Sequence, residues 1–323
     1  MMILFVGVRL AKITDILADR TGLGEAVAGT VLLGASTSIS GTVTSTAAAA
    51  SGNADLAVSN ALGGIAAQTF FLALADIVHR RANLEHAAAS PANLTQSTVL
   101  IVLLAVPLLA AELPEVTVLS VSPFSILLPV IYLFGVRLSS RDRDAPMWHP
   151  EKTSATRTEL PDEASQDHSM FRLVVAFLVL VSAIAFAGYV IAHSGAVIAE
   201  ETGLGQSVVG ALFTSTATSL PELVTTIAPV RRGALQLAVG GIIGGNMFDV
   251  LFLTVSDIAY RDGSILHAVD TKSTIWALIG IVMTGVLLLG LIRRERHGFA
   301  NIGFESALLM VIYAGAVAAM FWL

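Results

Sequence analysis

Apolar residues fall along this chain in blocks long enough to cross a lipid bilayer, which takes about 20 consecutive helical residues. Ten such blocks are predicted, at roughly 1–18, 24–50, 55–78, 95–111, 117–136, 170–193, 205–229, 234–259, 273–292 and 303–323. The first is short and carries Arg9 and Lys12. The stretch 137–169 differs in kind, holding twelve charged residues between Arg137 and Asp167 and three prolines. It reads as a polar linker between two halves, 1–136 and 170–323, of five spans each. The pattern therefore predicts an all-α integral membrane protein with ten transmembrane helices.

The two halves repeat each other. Residues 21–81 align without a gap to 202–262 at a constant offset of 181, with about 22 identities over 61 positions. Thr21-Gly22-Leu23-Gly24 matches Thr202-Gly203-Leu204-Gly205, Gly63-Gly64 matches Gly244-Gly245, and Asp76-Ile77 matches Asp257-Ile258. Chance likeness between apolar helices would not hold one register across glycines and polar residues, and such repeats are a mark of transporters. The register extends back to Ile3, Phe5, Gly7 and Ala11, which match Ile184, Phe186, Gly188 and Ala192. The partner helix continues upstream to about Met170, so the first span is expected to be truncated or to start upstream of the Met1 given.

An odd number of spans per half forces the halves to cross the membrane in opposite senses, and charge gives the direction. Lys and Arg gather on the cytoplasmic side. With both termini outside, the inner loops hold Arg20, Arg80, Arg81, the linker, Arg231, Arg232, Arg293, Arg294 and Arg296. The outer side keeps Arg261 and Lys272 and receives Asp55, Glu112, Glu115, Glu200, Glu201, Asp262 and Asp270. An inverted repeat with a cytoplasmic linker follows. Composition agrees with lipid as the solvent. Residues are 55% hydrophobic and 13% charged, against about 25% charged in a soluble domain, and mean hydropathy is +0.79. A net charge of −6 leaves no basic footprint for nucleic acid, and the absence of cysteine excludes disulfides and thiolate chemistry.

Two carboxylates fall at depth. Glu222 lies nine residues before Arg231 and Asp249 twelve before Arg261, which at 1.5 Å per residue is about 13 and 18 Å from those edges. An ionisable group there costs at least about 2.5–3.5 kcal/mol on insertion scales and usually lines a pathway. Glu222 ends the run Thr218-Ser219-Leu220-Pro221-Glu222. Pro221 removes a backbone donor, so carbonyls near Ala217 and Thr218 are expected to be free beside the hydroxyls of Thr218 and Ser219. Hydroxyl, carbonyl and carboxylate oxygens together suit a hard cation such as Na⁺ or Ca²⁺. Asn246 and Asp249 are three residues apart and share a helix face. Asp55, Asp76 and Asp257 lie near membrane edges and read as interfacial charges. The seven histidines show no ligand spacing, and no His–Ser or paired-aspartate arrangement in the spans supports an enzyme.

These residues carry a resemblance. Thr218-Ser219-Leu220-Pro221-Glu222, followed by Gly244-Gly245-Asn246-Met247-Phe248-Asp249, resembles the second alpha-repeat of the calcium/cation antiporter superfamily, the sodium/calcium exchangers. The likeness covers essentially the whole chain. It implies exchange of Na⁺ or H⁺ for Ca²⁺ or another cation by alternating access, with the ions as cargo and no cofactor. Carried over by position, the cation ligands fall on Thr37, Ser38 and Gln68 and on Thr218, Ser219, Glu222 and Asp249, with Asn246 beside them. The first repeat departs from the family pattern. Its Pro-Glu reads Ser40-Gly41, its Gly-Ser-Asn serine is Gly64 (as Gly245 is in the second repeat), and its asparagine is Gln68. Two carboxylates would suffice for one Ca²⁺, or for monovalent ions. The depleted first repeat also leaves open a non-transporting scaffold or partner subunit that retains the fold.

Overall fold

The structure, a computed structural model, describes residues 2–21, 34–78, 83–148, 150–151, 169–232, 235–295 and 302–322. The motif at 22–24, the start of the second span, Arg80, Arg81, most of the linker and Arg296 lie outside the described residues. In the first half the helices are α1 (Met2–Thr21), α2 (Gly34–Thr37), α3 (Ile39–Ala50), α4 (Ala54–Val78), α5 (Leu84–Ala88), α6 (Pro91–Glu112) and α7 (Pro123–Asp144). The second half has α8 (Met170–Thr202), α9 (Gln206–Val208), a π-helical turn Val209–Thr214, α10 (Ser215–Thr218), α11 (Leu220–Arg232), α12 (Leu235–Asp249), α13 (Leu251–Ala259), α14 (Ile265–Ala268), α15 (Thr271–Arg293) and α16 (Phe304–Met320). The fold is an all-α membrane bundle of ten passes in two inverted five-helix repeats, with helix in the described part of each predicted block.

Three boundaries differ from the sequence reading, each for a local reason. Residues 113–122 are a loop that ends in a tight turn, closed by backbone hydrogen bonds between Val118 and Val121, so the fifth span starts at Pro123. That span runs on to Asp144, inside the predicted linker, because nothing breaks it before Ala145, which Pro146 pushes out of the helical region. The sixth span reaches Thr202, where Gly203 at φ +71° caps it in the left-handed conformation.

Packing separates centre from rim. Of the most apolar stretch of α4, 94% is buried within the protein, against 17% for α8. The central α4 and α12 carry the polar positions, while α8 packs on α1 and α3 and turns its other face outward. Two glycines at repeat-equivalent places mark close helix approaches. A Cβ on Gly7 would come within 2.5 Å of Pro221 Cγ, and one on Gly188 within 2.7 Å of the Ser40 carbonyl oxygen.

The repeat is visible in the bonding. Asp76 accepts from the backbone N–H groups of Leu84 (2.8 Å) and Gly303 (3.0 Å). Asp257 accepts from Ile265 (2.7 Å) and Ser122 (2.7 Å), all three positions shifted by 181. Each carboxylate ties the end of a third span to the short helix that follows and to the fifth span of the other half. Both aspartates are fully buried, which corrects their reading as interfacial charges. Hydrophobic patterning sees only that a charge lies near a span end; the backbone donors that surround it come from distant segments.

Candidate functional site

The second and seventh spans break at one repeat-equivalent residue. Ser38, between α2 and α3, has φ −86° and ψ 3°; Ser219, between α10 and α11, has φ −91° and ψ 5°. Pro221 has no counterpart in the first half, where Ser40 stands, yet the break is the same. The proline is therefore not its cause. Hydroxyls serve in both halves: Thr37 Oγ1 donates to the Gly34 carbonyl and Thr218 Oγ1 to the Ser215 carbonyl, each at 3.1 Å. Thr44 Oγ1 and Thr225 Oγ1 likewise donate to the carbonyls of Ser40 and Pro221. The Thr218 carbonyl is taken by Ser40 Oγ at 3.0 Å, so it is not the free ligand expected from the proline.

Where the broken helices meet α4 and α12, three hydrogen bonds link four side chains into an open ring about the pseudo-twofold relation of the repeats. Ser38 Oγ donates to Asp249 Oδ1 at 2.6 Å. Gln68 Nε2 donates to Asp249 Oδ2 at 2.6 Å and to Ser219 Oγ at 3.2 Å. Gln68 and Asp249 are repeat equivalents, as are Ser38 and Ser219, so the four residues form two symmetry-related pairs. An amide opposite a carboxylate makes this ring bonded, since two carboxylates at that separation would repel.

Glu222 stands beside the ring, 4% exposed, with its carboxylate in hydrogen-bonding reach of the Thr37 and Ser38 hydroxyls. Its Oε2 and the Oε1 of Gln68 have no hydrogen-bond donor, and both residues line one small cavity with Asp249, Ser38, Ser219 and Thr218. No lysine or arginine is buried among the described residues. Asn246 departs from its expected place: its amide donates to Thr69 Oγ1 at 3.0 Å, away from the ring. Asn246 and Asp249 both lie in α12 and both meet α4, but Asp249 meets Gln68 and the Asn246 amide meets the next residue, Thr69.

Three participants escaped the sequence reading. Ser40 closes the Thr218 carbonyl. Asn60, 2% exposed, lines the cavity and donates to the Gly41 carbonyl at 3.3 Å while accepting from Thr214 Oγ1 at 2.8 Å. A buried amide in an apolar span was the signal that could have found it. Phe252 is the third. Gly41 occupies the position equivalent to Glu222, and a Cβ there would meet Phe252 Cε2 at 2.6 Å. The aromatic ring fills the space a first-half glutamate would need. Gly64 is different: a Cβ there meets Ser219 Oγ at 3.5 Å and Asp249 Oδ2 at 4.0 Å, ordinary contacts.

Two predictions follow from these spaces. Gly41→Ala is expected to lower stability by about 1–3 kcal/mol through overpacking, and combining it with Phe252→Leu to recover part of that loss. Thermal unfolding of the four corners of this double-mutant cycle in detergent checks it; additive losses would separate Phe252 from Gly41. Gly64→Ser is expected to change stability by less than about 1 kcal/mol and to add a hydroxyl to the cavity, read by the same melts with and without added cation.

Residues 1–139 and 172–322 match the family described as sodium/calcium exchanger protein. The inner membrane protein YrbG of Escherichia coli K12 is 25% identical over 309 residues, covering 88% of this chain and 91% of YrbG. The sodium/calcium exchanger MaX1 of Methanosarcina acetivorans is 27% identical over 126 residues, 39% of this chain and 34% of MaX1. Among solved structures, native YfkE superposes with a TM-score of 0.66 at 13% identity, covering 99% of this chain and 90% of YfkE. The sodium-calcium exchanger NCX_Mj superposes at 0.64 with 14% identity, covering 98% of this chain and 94% of NCX_Mj. With the family match spanning both halves and the fold shared along the whole length, the chain belongs to the sodium/calcium exchanger family and is a membrane-embedded cation antiporter, not an enzyme.

Proposed function

We propose that the chain exchanges Na⁺ or H⁺ for Ca²⁺ or another cation by alternating access, at a site centred on Glu222 and Asp249. One observation carries this reading: two acceptor oxygens without donors, Glu222 Oε2 and Gln68 Oε1, border a small cavity shared with Asp249, and no lysine or arginine is buried among the described residues. Oxygen acceptors that lack hydrogen-bond donors suit a dehydrated hard cation. The ligands are Glu222, Asp249, Gln68, Ser38 and Ser219, with Thr37 and Thr218 holding the helix breaks that aim them. The ions are cargo, and each face competes for the same oxygens.

The halves 1–136 and 170–323 act as the paired units, with 137–169 as their tether. The distribution of Lys and Arg supports both termini outside and the linker in the cytoplasm. With Gly41 and Phe252 closing the first-half acid position, the site holds two carboxylates and is suited to one divalent cation or to monovalent ions in its place. The names of MaX1 and of the Na⁺/K⁺/Ca²⁺ exchangers that match part of the chain support Na⁺ and Ca²⁺ as the first pair to test.

Proteoliposomes loaded with Na⁺ and diluted into radiolabelled Ca²⁺ test the proposal directly. Uptake that depends on the Na⁺ gradient, or on an imposed pH gradient, is expected. Phe252 in the place of a ligand also favours a second reading, a non-transporting subunit. Absence both of gradient-driven flux and of any stabilisation by Na⁺ or Ca²⁺ would decide for it.

A further inference from the structure

The junctions around Asp76 and Asp257 share a plan but are filled with opposite chemistry. Next to Asp257 the junction holds Leu266 and Phe124; at the equivalent positions next to Asp76 stand Glu85 and Glu305. Leu266 is buried, and so are the two glutamates, at 0% and 1% exposure. The same framework thus closes without acids in one half, so its architecture does not require them in the other. This junction is also remote from the central ring, at the end of the bundle where the linker residue Glu151 accepts from Arg294 Nη2.

The bonding of the pair is incomplete in a specific way. Glu85 Oε1 receives a long contact from Ser306 Oγ at 3.5 Å. Glu85 Oε2 and both carboxylate oxygens of Glu305 have no donor, and the two carboxyl groups are in hydrogen-bonding contact with each other. The described charged groups nearby include Glu295, which follows Arg294 and whose carbonyl accepts from Asn83 Nδ2 at 2.9 Å. From α4 comes Asp76, a third acid. From α15, Arg293 lies over the Phe304 ring at 5.5 Å, and just beyond it Arg294 donates to the carbonyls of His86 and Glu151. His86 Nδ1 meets the Arg294 carbonyl at 2.6 Å. On α12 the ionisable group is Asp249, in the central ring, and α16 carries Tyr313 besides Glu305 itself. His79, Arg80, Arg81, Arg296 and His297 lie outside the described residues. No group of three His, Cys, Asp or Glu is placed to hold a metal among the described residues.

We propose that Glu85 and Glu305 share one proton, forming a proton-binding site separate from the central cavity that fastens α5 to the start of α16. Two carboxyls in contact cannot both ionise without repulsion, whereas one proton between them makes a strong charge-assisted hydrogen bond. Because α5 packs on α12 and α15, occupancy of this site bears on the helix that carries Asp249. Burial first, then the charges of Asp76 and Glu305, holds the Glu85 carboxyl well above the usual carboxylate range. The folded chain therefore binds this proton more tightly than the unfolded one. The stability it contributes is present below the unfolded carboxylate range, near about pH 4.3, and is lost as pH rises toward the folded value.

The test uses the full chain in detergent, melted between about pH 4.5 and about pH 8. In the wild type the melting temperature is expected to fall across this range. Glu85→Gln, and Glu85→Leu with Glu305→Phe, which copies the packing of the other half, are expected to flatten that fall by about 2–4 °C. An equal slope in wild type and variants overturns the proposal. So does stabilisation by Ca²⁺ or Na⁺ in Glu222→Gln that disappears when Glu85→Gln is added, since the pair would then hold a metal ion. Infrared titration of the wild-type chain needs no variant: absence of a carboxylic-acid band above the free-carboxylate range also overturns it.

Discussion

Glu222→Gln is expected to abolish gradient-driven cation flux while leaving the fold intact. The substitution keeps the shape and the hydrogen-bonding reach to Thr37 and Ser38, but it replaces the donor-free Oε2 and removes one of two central charges. Deleting one member of a buried charge interaction costs about 2–5 kcal/mol, which weakens cation binding by more than about thirtyfold. The equivalent first-half position has no room for an acid, because Phe252 occupies the space beside Gly41. The measurement is Na⁺-driven uptake of radiolabelled Ca²⁺ in proteoliposomes, beside melts that show the variant is folded. Flux equal to wild type would remove Glu222 from the site.

Asp257→Ala is expected to cost the most in stability, and Asp76→Ala to follow it closely. Each carboxylate accepts two backbone N–H groups that no helix ladder satisfies. Hydrogen bonds to a charged group contribute about 1.5–3 kcal/mol each, so losing both costs about 3–6 kcal/mol. The loss spans the halves, since Ser122 belongs to the first and Asp257 to the second. Thermal unfolding in detergent, with the yield of folded protein as a second reading, measures this. Melting temperatures of both variants within about 2 °C of wild type would show that water or neighbouring groups replace the carboxylate.

Much of the fold was legible in the sequence because its solvent is lipid. A span must satisfy its own backbone, so apolar length and helix are nearly the same statement. The offset of 181 and the odd span count then gave the inversion. The candidate site was legible to the extent that charge at depth is costly: Glu222 and Asp249 stood out for that reason, and the repeat pointed to Ser38, Gln68 and Ser219. What periodicity could not reach was orientation. Asn246 shares a helical face with Asp249 on paper, yet pairs with Thr69. Pro221 looked like the cause of a helix break that Ser38 reproduces without it.

The sequence by itself determined the solvent, the number of passes, the inverted repeat and the overall scarcity of charge. Each of these is a property of composition or register, and each survives without knowing a single contact. Only the tertiary structure decided that Gln68 and Asp249 meet across the pseudo-twofold axis. It also decided that Phe252 fills the place of the missing glutamate and that Asp76 and Asp257 are buried staples. Those facts depend on which side chains from distant spans arrive at the same point. The decisive distances are a few ångströms between residues as many as 227 positions apart, which close packing fixes and linear pattern does not encode.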